Sequence, residues 1–181
     1  MSTPQPSFWV LTLKTIVAHT VTYFLAGLAA LTLFDYAAQF AKPATAVFMR
    51  QTSDPIVALG PALQPIRGVL FALVFYVLRE PLFGRKHGWL ILWLMLVVLG
   101  IFSTFGPASG SVEGLIYTTI PASEQLSGGL LEVLTQSLLF AALLYYWVNH
   151  PEKRWLAWVL GVLFILVILM SALGFVMAPR I

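Results

Sequence analysis

The sequence predicts an all-α integral membrane protein, a five-transmembrane-helix bundle with two long outer loops. Five long apolar stretches, short polar connections between most of them, and a composition that is 60% hydrophobic and 9% charged carry that expectation. Soluble domains carry far more charge, and disordered chains are far less apolar. A helix of roughly 20 apolar residues crosses a hydrocarbon core of about 30 Å. The stretches run over Ile16–Phe34, Ile66–Leu78, Trp89–Phe105, Leu130–Val148 and Trp155–Val176. With their flanks they give spans at 15–34, 62–82, 89–106, 129–148 and 155–177 of a single membrane domain, 1–181.

The first thirteen residues carry no Lys or Arg, and the apolar stretch after Lys14 is too long for a signal-peptide core. The first stretch is therefore expected to be a retained span. Within it Thr12, Thr15, His19, Thr22 and Ala26 fall in an arc of roughly 80°. Beside them Ala18, Thr22, Ala26 and Ala30 form an i, i+4 ladder of small residues, the pattern that lets two membrane helices approach closely. This face is expected to pack against protein.

The second stretch admits two readings. A helix starting near Pro61 uses that proline in its first turn and places Arg67 one to two turns deep, its guanidinium reaching outward. Alternatively, residues 56–65 dip into the bilayer as a re-entrant segment broken by Gly60, Pro61 and Pro65. The third and fifth helices have little polar content and are expected to face lipid, leaving helices one, two and four as the interior. The fourth carries Gly129, Glu132 and Gln136 on one side. Trp89, Trp93, Trp147, Trp155 and Trp158 gather near the inner ends as interfacial anchors.

Charge sets the expected orientation. With the N-terminus inside, the inner side holds Lys14, Arg79, Arg85, Lys86, Lys153 and Arg154, against Glu80 and Glu152. The outer side holds Lys42, Arg50, Arg67 and Arg180, against Asp35, Asp54, Glu113, Glu124 and Glu132. The tight basic connections REPLFGRKHG and NHPEKR then lie inside, as the positive-inside rule requires. The expectation is a bacterial cytoplasmic (inner) membrane protein, N-terminus in and C-terminus out. The ten basic residues mark helix ends instead of forming a nucleic-acid patch. Both long loops, 35–64 and 106–129, fall outside, and long ordered loops tend to be binding surfaces or lids.

Few residues carry chemistry. Glu132, one turn inside a span, is a costly carboxylate that seeks a cation, and Arg67 at similar depth is its natural partner. Asp35, Glu113 and Tyr117 are candidates to join them. His19 is a candidate haem ligand or proton relay, yet His87 and His150 lie in inner loops and no second intramembrane His completes a bis-His site. A hydrogen-bonded structural His is the favoured reading. With no cysteine there is no disulfide or thiolate metal site. GPASGS lacks the Lys and context of a phosphate-binding loop, and no nucleophile elbow, HExxH or metal-spaced His cluster is present. No catalytic residue, metal or cofactor is assigned.

The leading functional expectation is a non-enzymatic accessory or binding component. It engages a lipid, small ligand, membrane protein partner or second copy from the outer face. The alternatives are a small proton-coupled transporter or channel using Arg67 and Glu132, with Gln136 and the polar face of helix one, and an outer-leaflet lipid-modifying enzyme with Glu113 or Glu132 as base.

Overall fold

Four helices in this computed structural model, which describes residues 5–178, are long and apolar enough to cross a membrane. They are α1 (Phe8–Leu33), α4 (Pro55–Val77), α9 (Gly128–Asn149) and α10 (Arg154–Met177), of 26, 23, 22 and 24 residues. At 1.5 Å per residue they are about 33–39 Å long. A fifth apolar helix, α6 (Gly88–Val97), continues as a π-helical turn over Val98–Phe102 and is shorter, 10 and 5 residues respectively. The connections add α2 (Tyr36–Ala41), α3 (Pro43–Ala46), α5 (Arg79–Phe83), α7 (Val112–Tyr117) and α8 (Ala122–Gln125). The described residues contain no strand.

Side-chain contacts fix how the long helices run. Phe8 meets Tyr76, with ring centroids 5.2 Å apart, and the Tyr145 hydroxyl donates to the Arg85 carbonyl at 2.9 Å. These mark one end of the bundle, the turn end. Phe34 lies against Gly128, and Gly174 against Ala58, at the other, which carries both long loops. Helix α1 therefore runs antiparallel to α4 and α9, and packs against α4, α9 and α10. Helix α6 packs mainly on α9 and lies at the periphery.

Several boundaries differ from expectation, each for a local reason. Helix α1 begins at Phe8 instead of residue 15, so Lys14 lies two turns inside it. The ammonium is accommodated because it donates to the Trp147 carbonyl at 2.7 Å and lies over that indole ring. Trp147 is consequently buried and is no interfacial anchor, whereas Trp155 and Trp158 are exposed. Helix α4 begins at Pro55, where Asp54 caps it by accepting from the Ile56 amide, and it runs unbroken through Gly60, Pro61 and Pro65. Residues 56–65 are thus the first turns of one continuous helix and form no separate re-entrant segment. The helix stops at Val77, not 82, and residues 79–83 form the separate α5. The third helical run ends at Phe102 instead of 106.

The last of the five expected spans, α10, is not confined to the lipid-facing periphery. Helix α10 lays Leu156, Leu160, Val167 and Ser171 against its neighbours and contacts both α4 and α1. The apolar core gathers toward the turn end, around Leu11, Phe75, Leu82, Phe140, Leu144, Trp147, Leu156 and Leu160. Outward faces stay apolar: Ile66, Leu70, Val162, Ile165, Leu169 and Leu173 are all exposed. Such surfaces are what lipid would cover.

The small-residue ladder is buried throughout, with Ala18 0%, Thr22 4%, Ala26 8% and Ala30 2% exposed. Ala172 on α10 is exposed. Ala26→Leu is therefore expected to cost about 1–3 kcal/mol of stability through overpacking. Ala172→Leu should change it by less than about 0.5 kcal/mol. Equilibrium unfolding in mixed micelles measures both.

Candidate functional site

Polar side chains from α1, α4 and α9 meet near the mid-height of the bundle. His19 is 1% exposed, and its Nε2 lies 3.1 Å from Gln64 Oε1 on α4. Its Nδ1 lies 3.4 Å from Gln136 Nε2 on α9. Gln64 also donates through Nε2 to the Gly60 carbonyl at 3.3 Å, and Gln136 donates to the Thr22 hydroxyl at 3.3 Å. The Thr22 hydroxyl already gives its proton to the Ala18 carbonyl at 2.8 Å. These outer partners orient both amides: turning Gln64 over would set its oxygen against the Gly60 carbonyl, and turning Gln136 over would leave it with no donor from Thr22. Gln64 therefore offers an acceptor to Nε2, and Gln136 a donor to Nδ1. The network is complete with a neutral imidazole protonated on Nε2.

Phe71 and Phe140 pack on the imidazole, each with ring centroids 5.1 Å away. With Phe75, these rings bridge α4 to α9 across α1 and close the cluster toward the turn end. Toward the loop end the walls diverge in character. Gly60, Gln64, Arg67 and Phe71 form an i, i+4, i+7, i+11 stripe on α4, and Gly129, Glu132 and Gln136 an i, i+3, i+7 stripe on α9. A Cβ placed at Gly60 or Gly129 would meet nothing within 4 Å, so both walls end in open space.

Arg67 and Glu132 do not pair. Among the described residues the ion pairs are Lys42–Glu124 at 3.8 Å and Arg50–Asp54 at 2.8 Å. Glu132 instead accepts a hydrogen bond from the Tyr36 hydroxyl, because α2 folds back across the bundle end. Burial and then that carboxylate push the Tyr36 phenol well above its ordinary range, so it remains a proton donor. On α1, Gly27 supplies no side chain where Glu132 Oε1 would stand 3.5 Å from a Cβ. Arg67 is exposed on α4, with its guanidinium carbon 5.4 Å from the Phe71 ring centroid. It is the thirteenth residue of α4, so it lies at mid-helix instead of one to two turns deep. Tyr23 lies one turn beyond His19, with its ring centroid 6.2 Å from that of the imidazole.

The other predicted site residues lie elsewhere. Asp35 is at φ 44°, the left-handed region, and caps α2 by accepting from the Ala38 amide at 3.3 Å. Glu113 and Tyr117 belong to α7, in a loop held together by the buried Gln125, which donates to the Gly114 and Ile120 carbonyls and accepts from the Gly110 amide. Neither bonds to the cluster among the described residues. There too, no three His, Asp or Glu side chains converge as a metal-binding group.

No protein-family model matches the chain, and neither a curated protein nor a solved structure is significantly similar to it. The site has to be read from its own geometry. Gln64, Tyr23 and Tyr36 were not among the residues singled out from sequence. Gln64 carried a usable signal, the stripe it shares with Arg67 and Phe71. Tyr36 carried none, since its partner is brought to it by a chain reversal at Asp35.

The cluster has two layers with different chemistry. His19, Gln64 and Thr22 are hydrogen-bonded to saturation or nearly so. The Arg67 guanidinium, the Tyr23 hydroxyl and Gln136 Oε1 have no hydrogen-bond partner among the described residues. A fixed polar cluster with unengaged polar groups near it can hold a polar ligand and orient it.

Proposed function

We propose that the chain is a five-span protein of the bacterial cytoplasmic membrane, N-terminus inside and C-terminus outside, that binds a ligand non-enzymatically between α4 and α9 from the outer side. The unengaged groups around the His19 floor carry the reading. A donor or charge left unpaired against lipid costs energy. An occupant that pairs with Arg67, Tyr23 and Gln136 removes that cost. The saturated floor supports binding more than proton transfer, because its imidazole already has a partner on each nitrogen. The five-span topology counts the shorter α6 with its π-helical turn, and the orientation follows from the basic α4–α6 and α9–α10 connections.

Two expected results test this. The natural sequence has no cysteine, so single cysteines report sidedness cleanly. Thr119→Cys should react with an impermeant maleimide in intact cells, and His87→Cys only after permeabilisation; the reverse pattern would invert the topology. Gly60→Leu fills open space at the mouth of the site. It should leave the melting temperature nearly unchanged yet remove the ligand that co-extracts with purified protein. Identical extracts from both proteins would count against the binding reading.

A further inference from the structure

Helix α7 has its polarity reversed. Val112, Leu115 and Ile116, spaced i, i+3 and i+4, share one face, and all three are exposed. The opposite side, formed by Gly114 with Ser111 and Thr118 at the helix ends, turns inward onto the buried Gln125. Gln125 donates to the Gly114 carbonyl and the Thr118 hydroxyl, each at 3.2 Å, and to the Ile120 carbonyl at 2.8 Å. Its carbonyl oxygen accepts from the Gly110 amide at 3.3 Å. The Ser111 hydroxyl accepts from the Gly114 amide at 2.9 Å and donates to the Ala108 carbonyl at 2.6 Å. A helix on a loop washed by water shows the reverse arrangement, apolar side inward and polar side out. The loop also closes its own backbone groups around a buried amide, which a segment entering lipid must do and one in water need not.

The loop does not stand away from the bundle. Gly110 packs so closely on Leu130, the third residue of α9, that a Cβ there would lie 3.2 Å from the leucine Cδ1. Leu131 and Val133, next along α9, are exposed where lipid would cover them. Phe105 at the head of the loop and Leu126 near its foot are exposed too, so apolar surface borders the loop at both ends. We infer that α7 seats in the lipid leaflet at the loop end of the bundle, with Val112, Leu115 and Ile116 turned into the upper acyl chains. Tyr117, exposed beside them, keeps its hydroxyl among the head groups, as interfacial tyrosines do. Between Gly106 and Gly129 there is no Lys or Arg, so apolar burial and not attraction to anionic head groups holds the helix there. The seat anchors the α7–α8 loop to the bilayer and is independent of the ligand reading above.

The test uses the full-length protein in vesicles of phosphatidylcholine and phosphatidylglycerol, with one spin-labelled cysteine at a time. Collisions with oxygen, which concentrates in acyl chains, are compared with collisions with a nickel chelate, which stays in water. Val112→Cys and Ile116→Cys should give an oxygen-to-nickel ratio severalfold above that of Ser123→Cys, exposed on α8, and close to that of Leu173→Cys, exposed near the loop end of α10. Adding Leu115→Glu to Ile116→Cys should drop its ratio to the Ser123→Cys level. The same glutamate should leave the Leu173→Cys ratio unchanged, which shows that the bundle is still folded. Nickel access at 112 and 116 as high as at 123 would overturn the proposal in favour of a loop in water. Low access to both reagents would overturn it in favour of a second copy or another protein covering α7. A ratio that Leu115→Glu does not move would mean that the apolar face is not what holds the helix, and would overturn it as well.

Discussion

Gly68→Leu is expected to prevent α1 and α4 from docking. A Cβ at position 68 would lie 2.7 Å from the Ile16 Cα and 3.3 Å from its amide nitrogen. Those are backbone atoms, so no rotamer change relieves the clash and the helices must separate. Gly68→Ala alone should destabilise by about 1–3 kcal/mol, and the leucine by more. Gly60→Ala in the same helix is the matched control. It meets open space there, and alanine's better helix propensity should leave it neutral or stabilising by up to about 1 kcal/mol. Unfolding in mixed micelles should therefore move in opposite directions for two glycine-to-alanine changes eight residues apart. Equal losses would mean that the close crossing at Ile16 is not what holds α4 in place.

The second large effect concerns the polar floor. His19→Phe keeps an aromatic ring among Phe71 and Phe140 but deprives the Gln64 carbonyl oxygen and the Gln136 amide of their shared partner. Hydrogen bonds between membrane helices are worth roughly 0.6 kcal/mol on average. Orphaned buried groups cost more, and a loss of about 1–3 kcal/mol is expected. Adding Gln64→Leu and Gln136→Leu should recover most of that loss, because an all-apolar replacement leaves nothing unsatisfied. The triple variant should therefore fold nearly as well as wild type and yet bind no ligand. A triple variant that stays strongly destabilised would assign the network a structural role.

Much of this architecture was legible in the apolar runs, and the exceptions have physical causes. Lys14 interrupts the hydropathy at the start of α1, so hydropathy alone starts the helix after it; the distant Trp147 carbonyl and indole make that lysine tolerable. Gly60, Pro61 and Pro65 read as breakers, although a helix packed on two neighbours accommodates them. Hydropathy alone turns α10 toward lipid, because its packing face, Leu156, Leu160 and Val167, is as apolar as its outer face. Hydropathy cannot distinguish protein contact from lipid contact when both are apolar. On α1 that contrast existed, since Ala18, Thr22, Ala26 and Ala30 differ in size from the leucines around them.

The candidate site was legible residue by residue but not as a constellation. His19, Arg67, Glu132 and Gln136 stood out as polar groups in apolar helices. Pairing Arg67 with Glu132 followed from matching depths along the two helices. Depth along a helix says nothing about a loop that folds back, and Tyr36 occupies the carboxylate instead. The consequence is that the arginine is left without a carboxylate partner among the described residues.

Native mass spectrometry of the wild-type protein, extracted mildly from its own membrane and compared with the His19→Phe/Gln64→Leu/Gln136→Leu variant, addresses the central claim most directly. The account predicts one small non-protein molecule per chain in the wild type and none in the variant. A bare chain in both, or a co-purifying polypeptide held equally by both, would contradict a ligand site between α4 and α9.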